Sequence, residues 1–150
     1  MEKVAQCMCG QFRAFVTGEP KSVAMCHCGA CKRRSGSAFA YNAFYKMSDV
    51  RLEGTYKVHE RKGQAGHRIE RHFCPECGTT VYSRTEKFPG ICNISVGAFA
   101  DPDFPAPMVS LFEESKHAWV VVPPGVERFV QGRAPGAVRP GAGCGQSAKS

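Results

Sequence analysis

Seven of the nine cysteines lie in three short clusters, and these clusters constrain the fold more than any other feature of the sequence. The first cluster is Cys7 and Cys9, the middle cluster is Cys26, Cys28 and Cys31, and the third cluster is Cys74 and Cys77. Spacings of C-x-C and C-x-x-C place two thiolates on one short turn, where they can occupy two corners of the tetrahedron that zinc prefers. The sequence therefore predicts a domain that folds around metal sites.

The cysteine pattern fits metal binding better than disulfide pairing. The N-terminus has no apolar run behind basic residues, and the most apolar stretch, at 118–122, stops at two prolines. We therefore expect no signal peptide, no membrane span and a cytoplasmic location. A reducing compartment keeps thiols reduced, and an odd number of cysteines cannot pair completely, so metal ligands are the favoured role.

Length and composition predict a single domain. A chain of 150 residues with 43% hydrophobic residues can bury one core but is short for two. We place this zinc-binding domain at residues 1–130. Residues 131–150 are rich in Gly, Ala and Pro, and we expect a flexible tail there, which would leave Cys144 exposed.

The formal net charge of +7 raises the question of nucleic-acid binding. The last twenty residues contain three basic side chains and no acidic one, and two zinc ions held by seven thiolates would remove most of the remaining excess. A nucleic-acid footprint needs a clustered basic face, whereas the only tight basic run is Lys32-Arg33-Arg34. We therefore expect no nucleic-acid partner and no membrane partner.

The rest of the chain is typical of β-structure. Alternation of apolar and polar residues between evenly spaced turns predicts strands, and no long window has a clean helical period. The predicted strands cover residues 11–17, 22–28, 35–46, 50–52, 55–58, 67–73, 79–84, 91–99 and 118–122. The third cysteine cluster then falls at the tip of a hairpin, and the Pro-rich segment 101–108 is a loop. The fold class that follows is mainly β, with helix as a minority.

The number of cysteines distinguishes two kinds of metal site. The first and third clusters together supply four thiolates, which is enough for a closed structural site, whereas the middle cluster supplies three. Three protein ligands with a fourth position left to water or substrate is the arrangement of catalytic zinc. The alternative is that a histidine fills the fourth position, and the candidates are His27, His67, His72 and His117.

The three clusters carry a resemblance to a known family. C-x-C-G at Cys7, C-H-C-x-x-C-K-R at Cys26 and F-C-x-x-C-G-T at Phe73 occur in the order typical of glutathione-dependent formaldehyde-activating enzymes, also called the CENP-V/GFA domain. The resemblance covers residues 5–123. It implies a single β-tent domain of packed antiparallel sheets, with two zinc ions bound. The structural zinc would have Cys7, Cys9, Cys74 and Cys77 as ligands, and the second zinc would have Cys26, Cys28 and Cys31.

The resemblance also implies an activity. Members of the family are carbon–sulfur lyases that join glutathione to formaldehyde as S-hydroxymethylglutathione or reverse that step, so a small thiol and a small aldehyde are the expected partners. The middle cluster would be the catalytic site. Lys32, Arg33 and Arg34 would bind the carboxylates of the thiol, or would offset the negative charge of the thiolates. The alternative function is a zinc-stabilised binding module without catalysis.

Overall fold

The computed structural model describes residues 1–133, so most of the predicted flexible tail, including Cys144, lies outside the described residues. Short turns connect most of the strands, as the spacing of Gly and Pro predicts. The strands and the helix are β1 Glu2–Gln6, β2 Arg13–Thr17, β3 Ser22–Cys26, α1 Gly29–Ser35, β4 Ala40–Lys46, β5 Val50–Glu53, β6 Lys57–Lys62, β7 Arg68–Phe73, β8 Thr80–Thr85, β9 Ile91–Ser95, β10 Val109–Leu111 and β11 Glu127–Arg128. Short 3₁₀ turns cover Met47–Asp49, Val96–Phe99 and Glu113–Ser115.

The strands form two sheets. The small sheet is antiparallel with the order β1-β2-β5, and the large sheet has the order β11-β10-β3-β4-β9-β8-β7-β6. All pairings are antiparallel except those of β10, which runs parallel to both β3 and β11. The prediction of a mainly β single domain of packed sheets is confirmed.

One core lies between the two sheets. In β2, Ala14 and Val16 are fully buried while Arg13 and Thr17 are exposed, which is the period-two pattern of a strand with one buried face. The large sheet supplies Ala43, Tyr45 and Ile94 to the same core. Burial of each large aliphatic side chain contributes about 1.5–3 kcal/mol, so this contact is the main source of tertiary stability.

The other face of the large sheet is more polar. Asn42 and Phe44 of β4 alternate with the core residues Ala43 and Tyr45 and therefore point to the opposite side of the sheet. Asn93 of β9 pairs with Phe44 and lies on that same side. This polar face carries the candidate site.

Several predicted strands are wrong in part or in whole. The strand predicted at 91–99 ends at Ser95, after which a 3₁₀ turn covers Val96–Phe99. Residues 35–39 are not part of a strand, because a short helix, α1, occupies Gly29–Ser35 and β4 begins only at Ala40. The thiolate of Cys28 caps this helix by accepting the backbone N–H of Cys31 at 3.3 Å, and Gly36 ends it in the left-handed conformation. A helix of two turns is too short to produce a visible helical period.

The apolar segment 118–122 is also not a strand. Trp119 and Val121 are 72% and 85% exposed, and only Val120 of this segment is buried. The strand position beside β3 is taken instead by β10, whose register pairs Val109 with Ala24. Apolar composition favours a strand only where a neighbouring backbone is available for pairing, and the sequence alone does not show that.

Gly54 makes a close backbone contact that predicts a large effect of substitution. A Cβ at this position would lie 1.8 Å from the carbonyl oxygen of Gln11, and φ is +88°. We expect Gly54→Ala to lower the free energy of unfolding by about 3 kcal/mol or more, because the backbone must move to accommodate the added methyl group. Thermal unfolding of the metal-loaded variant and wild type measures this loss of stability.

Gly18→Ala is the matched control for that substitution. Gly18 has a similar φ of +77°, but an added Cβ there meets nothing within 4 Å. Only the left-handed conformation is then penalised, at about 1–2 kcal/mol. Equal losses of stability in the two variants would show that the contact with Gln11 is unimportant.

No helix among residues 1–133 is long and apolar enough to cross a membrane.

Candidate metal centres

The first and third cysteine clusters meet in one four-cysteine site. The Sγ atoms of Cys7, Cys9, Cys74 and Cys77 all lie within 4.8 Å of one another. The Cys7–Cys9 and Cys9–Cys74 Sγ distances are 3.5 and 3.7 Å. Tetrahedral zinc thiolate, with bonds of about 2.3 Å, has sulfurs about 3.8 Å apart, so this donor set fits zinc.

Two similar turns build the four-cysteine site. Cys7 donates its backbone N–H to the carbonyl of Phe12 at 2.9 Å, and Cys74 donates to the carbonyl of Thr79 at the same distance. One turn follows β1, and the other is the tip of the β7–β8 hairpin, as predicted. The site therefore links the small sheet to the large sheet across a gap of more than sixty residues in sequence.

Several sulfurs of this site accept hydrogen bonds, and those to Cys74 and Cys77 favour the thiolate form. The backbone N–H of Phe12 donates to the Cys7 sulfur at 3.2 Å, and the Gln11 amide donates to the Cys74 sulfur at 2.9 Å. The Thr79 hydroxyl, with backbone N–H groups, lowers the pKa of Cys77 to about 5. Thiolates are the metal-binding form of cysteine, so these partners support ligation.

Gln11 is a supporting residue that the sequence analysis did not identify. Besides its contact with Cys74, its amide Nε2 donates to the carbonyl of Thr55 at 2.7 Å, and its Oε1 accepts the Thr55 N–H at 2.9 Å. Gln11 thereby joins the four-cysteine site to the segment that follows β5. No local sequence signal marks this contact, because the partner is more than forty residues away.

The middle cluster forms a separate three-cysteine site. Cys26 ends β3, Cys28 caps helix α1 and Cys31 lies in its first turn, and their Sγ atoms lie within 4.8 Å of one another. Cys26 and Cys31 are buried, whereas Cys28 is partly exposed. The three sulfurs lie at one strand end and in one helical turn, so they can contact a metal ion from one side of the ion only.

None of the four candidate histidines joins this site. His27 is fully buried, but its Nε2 contacts the hydroxyl of Ser110 at 2.9 Å and its ring packs against Phe39. His72 packs between two tyrosines, and His117 stacks on Trp119. Within residues 1–133, no His, Cys, Asp or Glu completes the set of three. The fourth position has no protein ligand in the described part of the chain.

The three thiols share charge unequally. Hydrogen bonds from Cys26 and Cys31 lower the pKa of Cys28 to about 2, and the hydrogen bond to Cys28, together with burial, raises the pKa of Cys26. When no cation is present, the cluster therefore favours one thiolate beside two protonated thiols, since adjacent thiolates repel one another. Full ionisation of all three thiols requires a positive charge among them, which a bound metal ion supplies.

A large cavity opens beside the three-cysteine site. Its volume is about 710 Å³, which is enough for a small peptide-sized ligand, and all three cysteines line it. The polar face of the large sheet forms its floor through Ala24, Asn42 and Asn93. The β6–β7 hairpin forms one wall through Arg61, His67 and Arg71.

The cations of the cavity differ from those predicted. Lys32, Arg33 and Arg34 are not among its lining residues. The Lys32 ammonium donates to the carbonyl of Ser115, and the Arg34 guanidinium lies 3.4 Å from the hydroxyl of Ser95. Their role in binding a thiol stays a prediction. The cations that do line the cavity are Arg61, Arg71, Arg84, Lys87 and Arg133.

Cys92 has no part in either site. It is 1% exposed, and burial raises its pKa to about 12, so it is a buried apolar thiol. Of the aromatic residues that alternate along β4, Phe44 lines the cavity while Tyr41 packs against the core.

Comparison with known proteins identifies a family. A family model described as glutathione-dependent formaldehyde-activating enzyme matches residues 2–115. No curated protein matches the chain. Among solved structures, a protein from Rhodobacter sphaeroides is 21% identical, covers 66% of this chain and 91% of its own, and superposes with a TM-score of 0.54. At that identity the likeness concerns the fold.

Proposed function

Because the chain belongs to the family of glutathione-dependent formaldehyde-activating enzymes, we propose that it is a zinc-dependent enzyme of the carbon–sulfur lyase type. Its substrates are glutathione or a similar thiol, and formaldehyde or a related small aldehyde. The reaction joins the two as a hydroxymethyl thioether or releases them again. The three-cysteine site is the reaction centre, and the four-cysteine site is structural.

One observation carries this proposal. Three thiols converge at the edge of a cavity of about 710 Å³, and no side chain of residues 1–133 completes their coordination set. A purely structural zinc site is closed by four protein ligands, as the first and third clusters can do here. Cys26, Cys28 and Cys31 would hold a divalent metal, which would supply Lewis-acid chemistry toward an oxygen or sulfur of the substrate.

The reaction is an addition that needs no redox partner. A sulfur–carbon bond forms, the carbonyl π-bond opens to a hydroxyl group, and the thiol proton ends on that oxygen. The protein contributes by holding both reactants in one cavity, which makes the encounter effectively unimolecular.

Exchange spectroscopy tests the proposed activity. We expect NMR exchange between free glutathione and S-hydroxymethylglutathione, at equilibrium with formaldehyde, to be faster with metal-loaded protein than in buffer. Protein from which the metal of the three-cysteine site has been removed is expected to give the buffer rate. The same exchange rate in all samples would overturn the activity and would favour the alternative, a zinc-stabilised binding module.

A further inference from the structure

Two arginines on one wall of the cavity have no anionic partner. Arg61 of β6 and Arg71 of β7 both line the cavity, on the same face of the sheet as Ile69. Within residues 1–133, neither guanidinium forms an ion pair, and that of Arg71 makes no hydrogen bond. Arg84 and Arg133 differ, since Arg84 pairs with Glu70 and Arg133 lies 3.7 Å from Glu127, whereas Lys87 also has no ion pair among residues 1–133.

Such a cation is costly unless a ligand satisfies it. Arg71 is only partly exposed, and burial, together with repulsion from Arg34 and Arg61, lowers its pKa. A guanidinium nevertheless stays charged near neutral pH. Glu114 is the only acidic side chain among the described residues that line the cavity. The cavity therefore offers excess positive charge to whatever enters it.

The floor of the cavity adds a neutral polar group. Asn93 is 8% exposed, and its Oδ1 atom has no hydrogen-bond partner. A neutral amide on the floor does not offset the charge of the arginines, so the positive charge on this wall stays available to an anionic ligand.

We propose that Arg71 and Arg61 bind a carboxylate of the thiol substrate, so that the cavity selects thiols bearing carboxylates over neutral thiols. This inference rests on the proposed function, because it assigns the cavity to the thiol. Arginine binds a carboxylate through two parallel N–H bonds, which orients the ligand as well as holding it.

The rival role for Arg71 is to offset the charge of the three thiolates. Cys31 and Cys26 are its closest sources of negative potential, so removal of the guanidinium would then weaken metal binding. The two roles predict different measurements. A substrate-binding role changes the affinity for anionic ligands at constant metal content, whereas a charge-offsetting role changes the metal content.

The experiment is calorimetric titration of the metal-loaded full chain with S-methylglutathione and with 2-mercaptoethanol. S-methylglutathione keeps the carboxylates but has no free thiol, and 2-mercaptoethanol has a thiol but no carboxylate. We expect Arg71→Gln to weaken S-methylglutathione binding about 10- to 100-fold, as loss of a charged hydrogen-bonded pair does, with 2-mercaptoethanol binding unchanged. Metal content is expected to equal that of the wild type.

Two further variants complete the test. Arg61→Gln, on the edge strand β6, is expected to act in the same direction and serves if Arg71→Gln fails to fold. Arg51→Gln is the matched control, because it removes the same charge from the small sheet, where Arg51 is more than half exposed. It is expected to leave affinity for S-methylglutathione unchanged.

The outcomes separate this inference from the proposed function. Arginine-dependent binding of S-methylglutathione without faster exchange would support the anion site and overturn the activity. Faster exchange with unchanged affinity in Arg71→Gln and Arg61→Gln would overturn the anion site and leave the activity. The inference would also be overturned if Arg71→Gln lost metal but kept its affinity for S-methylglutathione. It would equally be overturned if the wild type did not bind S-methylglutathione.

Discussion

Cys74→Ser is expected to unfold most of the protein or to abolish its cooperative thermal transition. Cys74 is fully buried and supplies one of four sulfurs that join the small sheet to the large sheet. A structural zinc site contributes about 10–16 kcal/mol to the folded state of zinc-finger peptides, and serine is a poor zinc ligand. Loss of one ligand is expected to cost on the order of 5 kcal/mol or more, which is comparable to the stability of a typical domain.

The measurement is thermal unfolding with metal analysis, and Cys92→Ala is the matched control. Cys92 is 1% exposed and lies outside both metal sites, so its substitution removes a buried sulfur without removing a ligand. A cost of about 1–2 kcal/mol is expected for the resulting cavity. Similar destabilisation in the two variants, with metal retained in both, would contradict a structural role for the four-cysteine site.

Cys28→Ser is expected to abolish most of the accelerated exchange while the fold persists. Residues that only support a metal ligand cost about 10- to 100-fold when changed, so loss of a ligand itself is expected to cost at least about 100-fold. Serine is a good N-cap residue and can accept the N–H of Cys31, as Cys28 now does, so helix α1 is preserved. The substitution therefore isolates the role of the sulfur as a ligand.

Exchange NMR, metal content and melting temperature together test Cys28→Ser. We expect the bound metal to fall by one equivalent, with the remaining metal held by the four-cysteine site. The melting temperature is expected to change far less than in Cys74→Ser, because the three-cysteine site lies within one strand end and one helical turn. A variant that keeps wild-type exchange would remove the reaction from this site. A variant that unfolds as Cys74→Ser does would assign it a structural role.

Patterns that are local in sequence made the metal sites predictable. Both sites consist of cysteines on short turns, and the division into four and three depends only on counting ligands. The strands β2, β7 and β8 were predicted for a similar reason, since alternation of apolar and polar residues is visible within six residues. Helix α1 was not predicted, because two turns give no periodic signal. The side chain of Cys28 stabilises this helix as its N-cap.

The cavity could not be predicted, because it depends on strand register. Arg71 lies between Glu70 and His72, both buried on the core side, and nothing local marks it as the residue that faces the three cysteines. The basic run Lys32-Arg33-Arg34 is adjacent to Cys31 in sequence but lies outside the cavity lining. Residues that are adjacent along the chain lie on the same strand or helix. The pairing register of β6, β7 and β8 decides which side chains share a face of the sheet.

The sequence by itself determined that the chain is mainly β and that seven cysteines fall into clusters spaced for metal ligation, because strand periodicity and ligand spacing are properties of short segments. Only the tertiary structure decided that the first and third clusters meet, that no described histidine reaches the middle cluster, and that Arg61 and Arg71 face it. The meeting of the first and third clusters and the placement of the two arginines join residues thirty or more positions apart. They arise from strand order and register, which are set by burial of the whole core and not by any one segment.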